Sequence, residues 1–96
     1  MHAAAVRFDL RLEGTRSLKD KRRVLKPLLE ALRRKFNVSA TEVDFHDLIG
    51  RATIGIGVVS TEAFQISKTT RQIERFIMSY PEVEIIDLEI SYLDRL

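Results

Sequence analysis

Half of the basic residues of this chain sit in one run. Of sixteen Lys and Arg residues, eight fall within Ser17–Phe36, SLKDKRRVLKPLLEALRRKF. Guanidinium and ammonium groups at that density suit phosphate, because each phosphate they neutralise releases a condensed counterion and so favours binding to a nucleic-acid backbone. Placed at 100° per residue, Lys19, Arg22, Arg23, Lys26, Arg33 and Arg34 fall within about one third of a helix circumference, with Glu30 in the middle of the arc. Arg16, Ser17 and Lys19 stand where such a helix would start. Its free backbone N–H groups and positive dipole end make that start an anion seat. Lys68, Arg71 and Arg75, at spacings of three and four, would carry the basic surface onto a second helix. A charged stripe is ordinarily a solvated helix face, and Glu30 opposite Lys26, Arg33 and Arg34 fits that plainer reading.

Other chemistry-bearing residues are sparse. Glu42, Asp44 and His46 alternate and would share one side of a strand, with Asp47 beside them. That grouping could bind a metal or act as an acid–base pair, but it falls on a hairpin rim, where charged residues normally meet water. Gly55-x-Gly57 lacks the third glycine and the helix start of a dinucleotide fingerprint. It reads instead as a place of close approach to a sheet, or a local bend. There is no cysteine, so disulfides and thiolate chemistry are excluded. No catalytic residue, metal site or cofactor is expected, and the chain does not read as an enzyme.

The elements that would position these residues follow from periodicity. Val6, Phe8, Leu10 and Leu12 alternate with Arg7, Asp9 and Arg11, which predicts a half-buried strand over 3–12. Ser17 is a good N-cap, with Asp20 completing a weaker capping box. Leu18, Leu25, Leu28, Leu29, Leu32 and Phe36 form the buried stripe of a first helix that ends at Asn37. Pro27 should kink it. Lys21 projects among the leucines, where it must reach the rim or meet a carboxylate. A second strand over 38–45 changes its apolar phase from even to odd, the sign of a bulge or a change of face. After a connection over 46–50, a third strand over 51–59 puts Ala52, Ile54, Ile56 and Val58 on one face and Thr53, Gly55 and Gly57 on the other. Ser60 or Thr61 caps a second helix to about Ser79, with the stripe Ile66, Thr70, Ile73, Phe76, Ile77 and Tyr80, and Pro81 ends it. A last strand over 83–93 points Ile86, Leu88, Ile90 and Tyr92 inward and Asp87, Glu89 and Ser91 outward. The order β-α-β-β-α-β predicts an α+β, ferredoxin-like two-layer sandwich. Its antiparallel sheet has the order 4-1-3-2, with both helices on one face. Arg7, Asp9, Arg11, Asp87 and Glu89 would pair across the open face.

Ninety-six residues make one domain, 1–96, and 45% hydrophobic with 31% charged residues is an ordinary soluble composition. The N-terminus alternates without the apolar core of a signal peptide, and no run approaches the ~18 apolar residues of a membrane span. A cytoplasmic location is expected. The net charge of +2 is small but lopsided: nine basic against two acidic residues over 15–35, and five acidic against one basic over 82–96.

The run S-L-K-D-K-R-R-V-L-K-P-L-L-E, followed by F-N-V-S-x-x-E-V and Asp47-Leu48, resembles the bacterial YlxP family of small proteins filed under a domain of unknown function. The resemblance covers most of the chain and implies the same ferredoxin-like fold. Members are commonly encoded near translation-initiation and ribosome-maturation genes, which implies an RNA- or ribosome-associated role, and no catalytic residues come with the family. Where the family pattern has His-Gln-Asp/Glu-Leu-Trp, this chain has Phe45-His46-Asp47-Leu48-Ile49, so roles there do not transfer. The expectation is a non-catalytic protein that binds an RNA or ribosomal phosphate backbone through Lys19, Arg22, Arg23, Lys26, Arg33 and Arg34, assisted by Arg71 and Arg75. Strand three, RATIGIGVV, offers no aromatics, so base stacking on the open sheet is not expected. The alternative is a homodimeric protein-interaction or regulatory module using the open sheet face or the edge strands.

Overall fold

The structure is a computed structural model and describes residues 1–93. Six elements follow one another: β1 (His2–Leu12), α1 (Leu18–Phe36), β2 (Ser39–Asp44), β3 (Arg51–Ser60), α2 (Ala63–Met78) and β4 (Val83–Leu93). The strands form one sheet in the order β2-β3-β1-β4, the expected 4-1-3-2 read from the opposite edge, and every neighbouring pair is antiparallel. The architecture is α+β and consistent with the ferredoxin-like arrangement. No helix is long and apolar enough to cross a membrane.

Alternation in β1 and β3 and the helical stripes converge on one core. Val6, Phe8 and Leu10 of β1, Ile54 and Ile56 of β3, Leu28 and Leu32 of α1, and Ile66, Ile73 and Ile77 of α2 are almost wholly buried in a single cluster. Each such side chain is worth about 1.5–3 kcal/mol of transfer free energy. Because both helices share this cluster, they lie on the same side of the sheet and leave the other side open.

The ends of α1 follow its sequence. Ser17 has extended backbone, and its Oγ accepts a hydrogen bond from the Asp20 N–H at 3.0 Å, while Asn37 closes the helix at φ 53°. The helix is continuous through Pro27. Three boundaries differ from the periodicity. The second strand is shorter than 38–45, because Phe45 turns out of the ladder at φ 62°. The N-cap of α2 is Glu62, not Ser60 or Thr61; Ser60 Oγ instead accepts from the Glu62 N–H at 3.2 Å, folding the approach to the helix.

The third difference lies in β4. The β1–β4 register runs Asp9↔Asp87 and then Leu10↔Ile85, so Ile86 is the extra residue of a bulge. A bulge reverses the side-chain phase: Val83 and Ile85 pack inward before it, and Leu88 and Ile90 after it. Ile86, expected inward, is 40% exposed, and so is half of Tyr92. The expected bulge in β2 is present, between Glu42↔Ile54 and Asp44↔Thr53, and it turns Val43 onto the open face above Gly55. A Cβ on Gly55 would stand 2.9 Å from Val43 Cγ1, so glycine there is what lets the two strands close up.

Candidate nucleic-acid interface

With Leu25, Leu28 and Leu32 turned to the core, the opposite side of α1 is left to its cations. Lys19, Arg22, Arg23, Lys26, Arg33 and Arg34 are all exposed. They are not equivalent. Arg23 lies 3.4 Å from Asp20, and Arg33 Nε donates to the Ala40 carbonyl of β2 at 2.9 Å. Among the described residues, Lys19, Arg22, Lys26 and Arg34 form no ion pair, and Glu30, expected to oppose them, forms none either. Among the described residues the arc therefore presents four cations without an ion-pair partner.

At the start of α1, Asp20 sets a carboxylate beside the expected anion seat. Its Oδ2 accepts from the Arg16 N–H at 3.2 Å, and Ser17 Oγ takes the Asp20 N–H. The N-terminus formed by Arg16, Ser17 and Lys19 thus has a carboxylate of its own at the dipole end. On α2, Lys68, Arg71 and Arg75 are exposed as the spacing required, and Arg75 borders an open groove of about 680 Å³ between the two helices.

Of the two outcomes expected for Lys21, the rim or a carboxylate, the structure shows the second. Lys21 is 2% exposed, and its ammonium donates to the carbonyls of Phe45 at 2.6 Å and Leu48 at 2.7 Å, with Glu42 Oε2 2.8 Å away. The lysine ties the start of α1 to the β2–β3 turn. His46 completes that turn, its Nε2 donating to the Glu42 carbonyl at 3.1 Å. Glu42, Asp44 and His46 do not converge: Glu42 turns to Lys21, and Asp44 Oδ1 accepts from the Phe45 N–H at 2.8 Å. Among the described residues no cluster of three or more metal-ligating side chains is present.

The carbonyls of Ala40 and Glu42 point to the same side of β2, two residues apart, and both are taken by side chains, Arg33 and His46. The outer edge of β2 is therefore partly closed. On the open sheet face, Arg7 Nη1 bonds Asp9 at 2.7 Å, Arg7 Nη2 lies 3.5 Å and 3.6 Å from Asp87 and Glu89, and Arg11 lies 3.4 Å from Glu84. The Thr53 hydroxyl donates to Asp9 Oδ1 at 2.6 Å and buries Thr53 beneath this network. That hydrogen bond, with help from Arg7 and against the effect of burial, holds the Asp9 carboxyl below the usual aspartate range. The hydrogen bond to Asp9 in turn raises the Arg7 pKa. These arginines are spent on carboxylates and are not available to phosphate. Phe8 is fully buried, and the Tyr92 hydroxyl lies 3.3 Å from Ser67 Oγ of α2, so these strand aromatics belong to the helix side.

Comparison with known proteins bears on the fold and the family. The structured domain of Boca from Drosophila melanogaster superposes with a TM-score of 0.57 at 12% identity, over 91% of this chain and 95% of that domain, a likeness of fold alone. The uncharacterized protein YlxP of Bacillus subtilis is 43% identical over 68 residues, which are 71% of this chain and 74% of that one. A model of the family described as "Protein of unknown function (DUF503)" matches residues 3–90. On that match, which spans nearly all the described residues, the chain belongs to the DUF503 family.

Proposed function

We propose that the protein is a non-catalytic RNA- or ribosome-associated protein that holds a phosphate backbone against the exposed face of α1. One observation carries the reading: Lys19, Arg22, Lys26 and Arg34 lie on one face of one helix, exposed and without an ion-pair partner among the described residues. Cations that serve only solubility are normally interleaved with carboxylates, as Arg7 and Arg11 are on the sheet. The gene neighbourhood implied by the YlxP resemblance makes a ribosomal particle the first partner to test. Arg23 and Arg33 assist less than their exposure suggests, because Asp20 and the Ala40 carbonyl already engage them.

The test is co-sedimentation with ribosomal particles, and anisotropy with a labelled RNA, at low and high salt. Affinity should fall by about 0.7–0.9 log units per log unit of salt for each phosphate contacted. The variant Arg22→Glu/Lys26→Glu/Arg34→Glu, which spares the two arginines with structural partners, should lose binding while its thermal melt stays unchanged. Undiminished association of that variant would sink the proposal.

A further inference from the structure

The open sheet offers no ring to a nucleobase, but the helical layer does. Phe36, the last residue of α1, and Phe76, late in α2, meet edge to face with ring centroids 5.7 Å apart and planes at 78°. Tyr80 continues the row at 5.5 Å. Both phenylalanines are only half-buried, and they line the groove of about 680 Å³ together with Lys35, Gln72, Arg75 and Ser79. Among the described residues, no carboxylate lines it. The Lys35 ammonium lies 4.8 Å from the centre of the Phe76 ring, so a mobile side chain and not the core covers that ring on the groove side. The Gln72 amide is the one side chain there able both to donate to and to accept from a planar heterocycle. Ser79 is occupied, its hydroxyl donating to the Phe76 carbonyl at 2.6 Å.

Two aromatic rings, two cations and, among the described residues, no anion in one groove suit a ligand that is flat and apolar on one side and anionic on the other. We propose that this groove seats one unpaired nucleotide of a single-stranded RNA. The base stacks on Phe76 and against Phe36, and Lys35 moves from the ring face to the adjoining phosphate while Arg75 takes the next. The inference rests on the phosphate-binding reading above, because Arg33 and Arg34 directly precede Lys35 and would receive the same strand. It adds what that reading lacks, a reason to prefer single strands to duplex, since only an unpaired base can leave its own stack.

The experiment uses the full chain and two labelled strands of equal length, an oligouridylate and its abasic ribose-phosphate counterpart, compared by anisotropy across a salt series. The wild-type protein should bind the uridylate roughly 5- to 150-fold more tightly, the range expected for stacking one base. Phe76→Leu keeps apolar volume in the groove and should bring the two strands to parity with the salt slope unchanged. Should that variant melt early, 5-iodouridine cross-linking to the wild-type protein gives the same answer. The adduct is expected on the peptide containing Phe36 or Phe76. Equal wild-type affinity for the two strands, or adducts confined to residues 19–34, overturns the seat and leaves the phosphate reading standing. No binding of either strand at low salt overturns the phosphate reading and the seat with it.

Discussion

A charged group on the buried stripe of a helix costs free energy unless its charge and its hydrogen-bonding capacity are met on the spot. Lys21 meets both conditions with two short bonds to loop carbonyls and the Glu42 carboxylate at 2.8 Å. Lys21→Met leaves those carbonyls and a half-buried carboxylate without a partner and should cost about 3–5 kcal/mol of stability. Adding Glu42→Leu removes the orphaned charge and should restore part of that loss. Urea titration of the two variants measures both numbers, and a loss under about 1 kcal/mol for Lys21→Met would show the ammonium to be dispensable. The position of Lys21 was legible, since a lysine amid leucines at helical spacing has to be buried. A carboxylate partner was legible too, and Glu42 supplies it, but the carbonyls of Phe45 and Leu48 were not, because backbone groups leave no trace in residue type. The cations of α1 were legible for the converse reason: six of them share an arc that the leucines do not need. What periodicity could not tell was that Asp20 and Ala40 claim two of the six.

Among the elements, the strands test how far alternation can be trusted. In β2 the apolar phase visibly slips, and a bulge is there. In β4 two isoleucines stand side by side, so either one could be inward and the alternation conceals its own break at Ile86. The consequence of the β2 bulge is the contact of Val43 with Gly55. Gly55→Ala pushes a methyl to 2.9 Å from Val43 Cγ1 and should cost about 1–3 kcal/mol, the range for overpacking. In a Val43→Ala background the same change should cost close to nothing, because the obstructing methyl has gone. A double-mutant cycle by chemical denaturation gives the coupling. If Gly55→Ala costs the same in both backgrounds, the strain lies in the backbone and not in the side chain.

At the scale of the molecule, charge is sorted by layer. The α1 side carries unpaired cations, and the open face of the sheet carries arginines matched to Glu84, Asp87 and Glu89. The lopsided count along the sequence anticipated this sorting; the groove between Phe36 and Phe76 was invisible there, because its two rings come from different helices. Placement, not net charge, should then govern binding. Glu84→Gln/Glu89→Gln raises the net charge by two, yet at physiological salt the screening length of about 8 Å separates the open face from the helical layer. RNA affinity should change by less than about two-fold, measured by anisotropy against the loss seen on reversing α1 residues. A gain as large as that loss would mean that the protein binds as a diffuse cation.

The side chains that occupy the outer carbonyls of β2 have a bearing on assembly. A sheet with two free edges can add copies at both ends and grow without limit. Here Arg33 and His46 stand across one edge, while β4 forms the other. A second copy that extended the sheet through β4 would form an isologous pair and use up both open edges at once. Such an arrangement closes at two copies. The arginine that a phosphate reading counts as a weak contact is, for the sheet, one of two side chains that cap the outer carbonyls of β2.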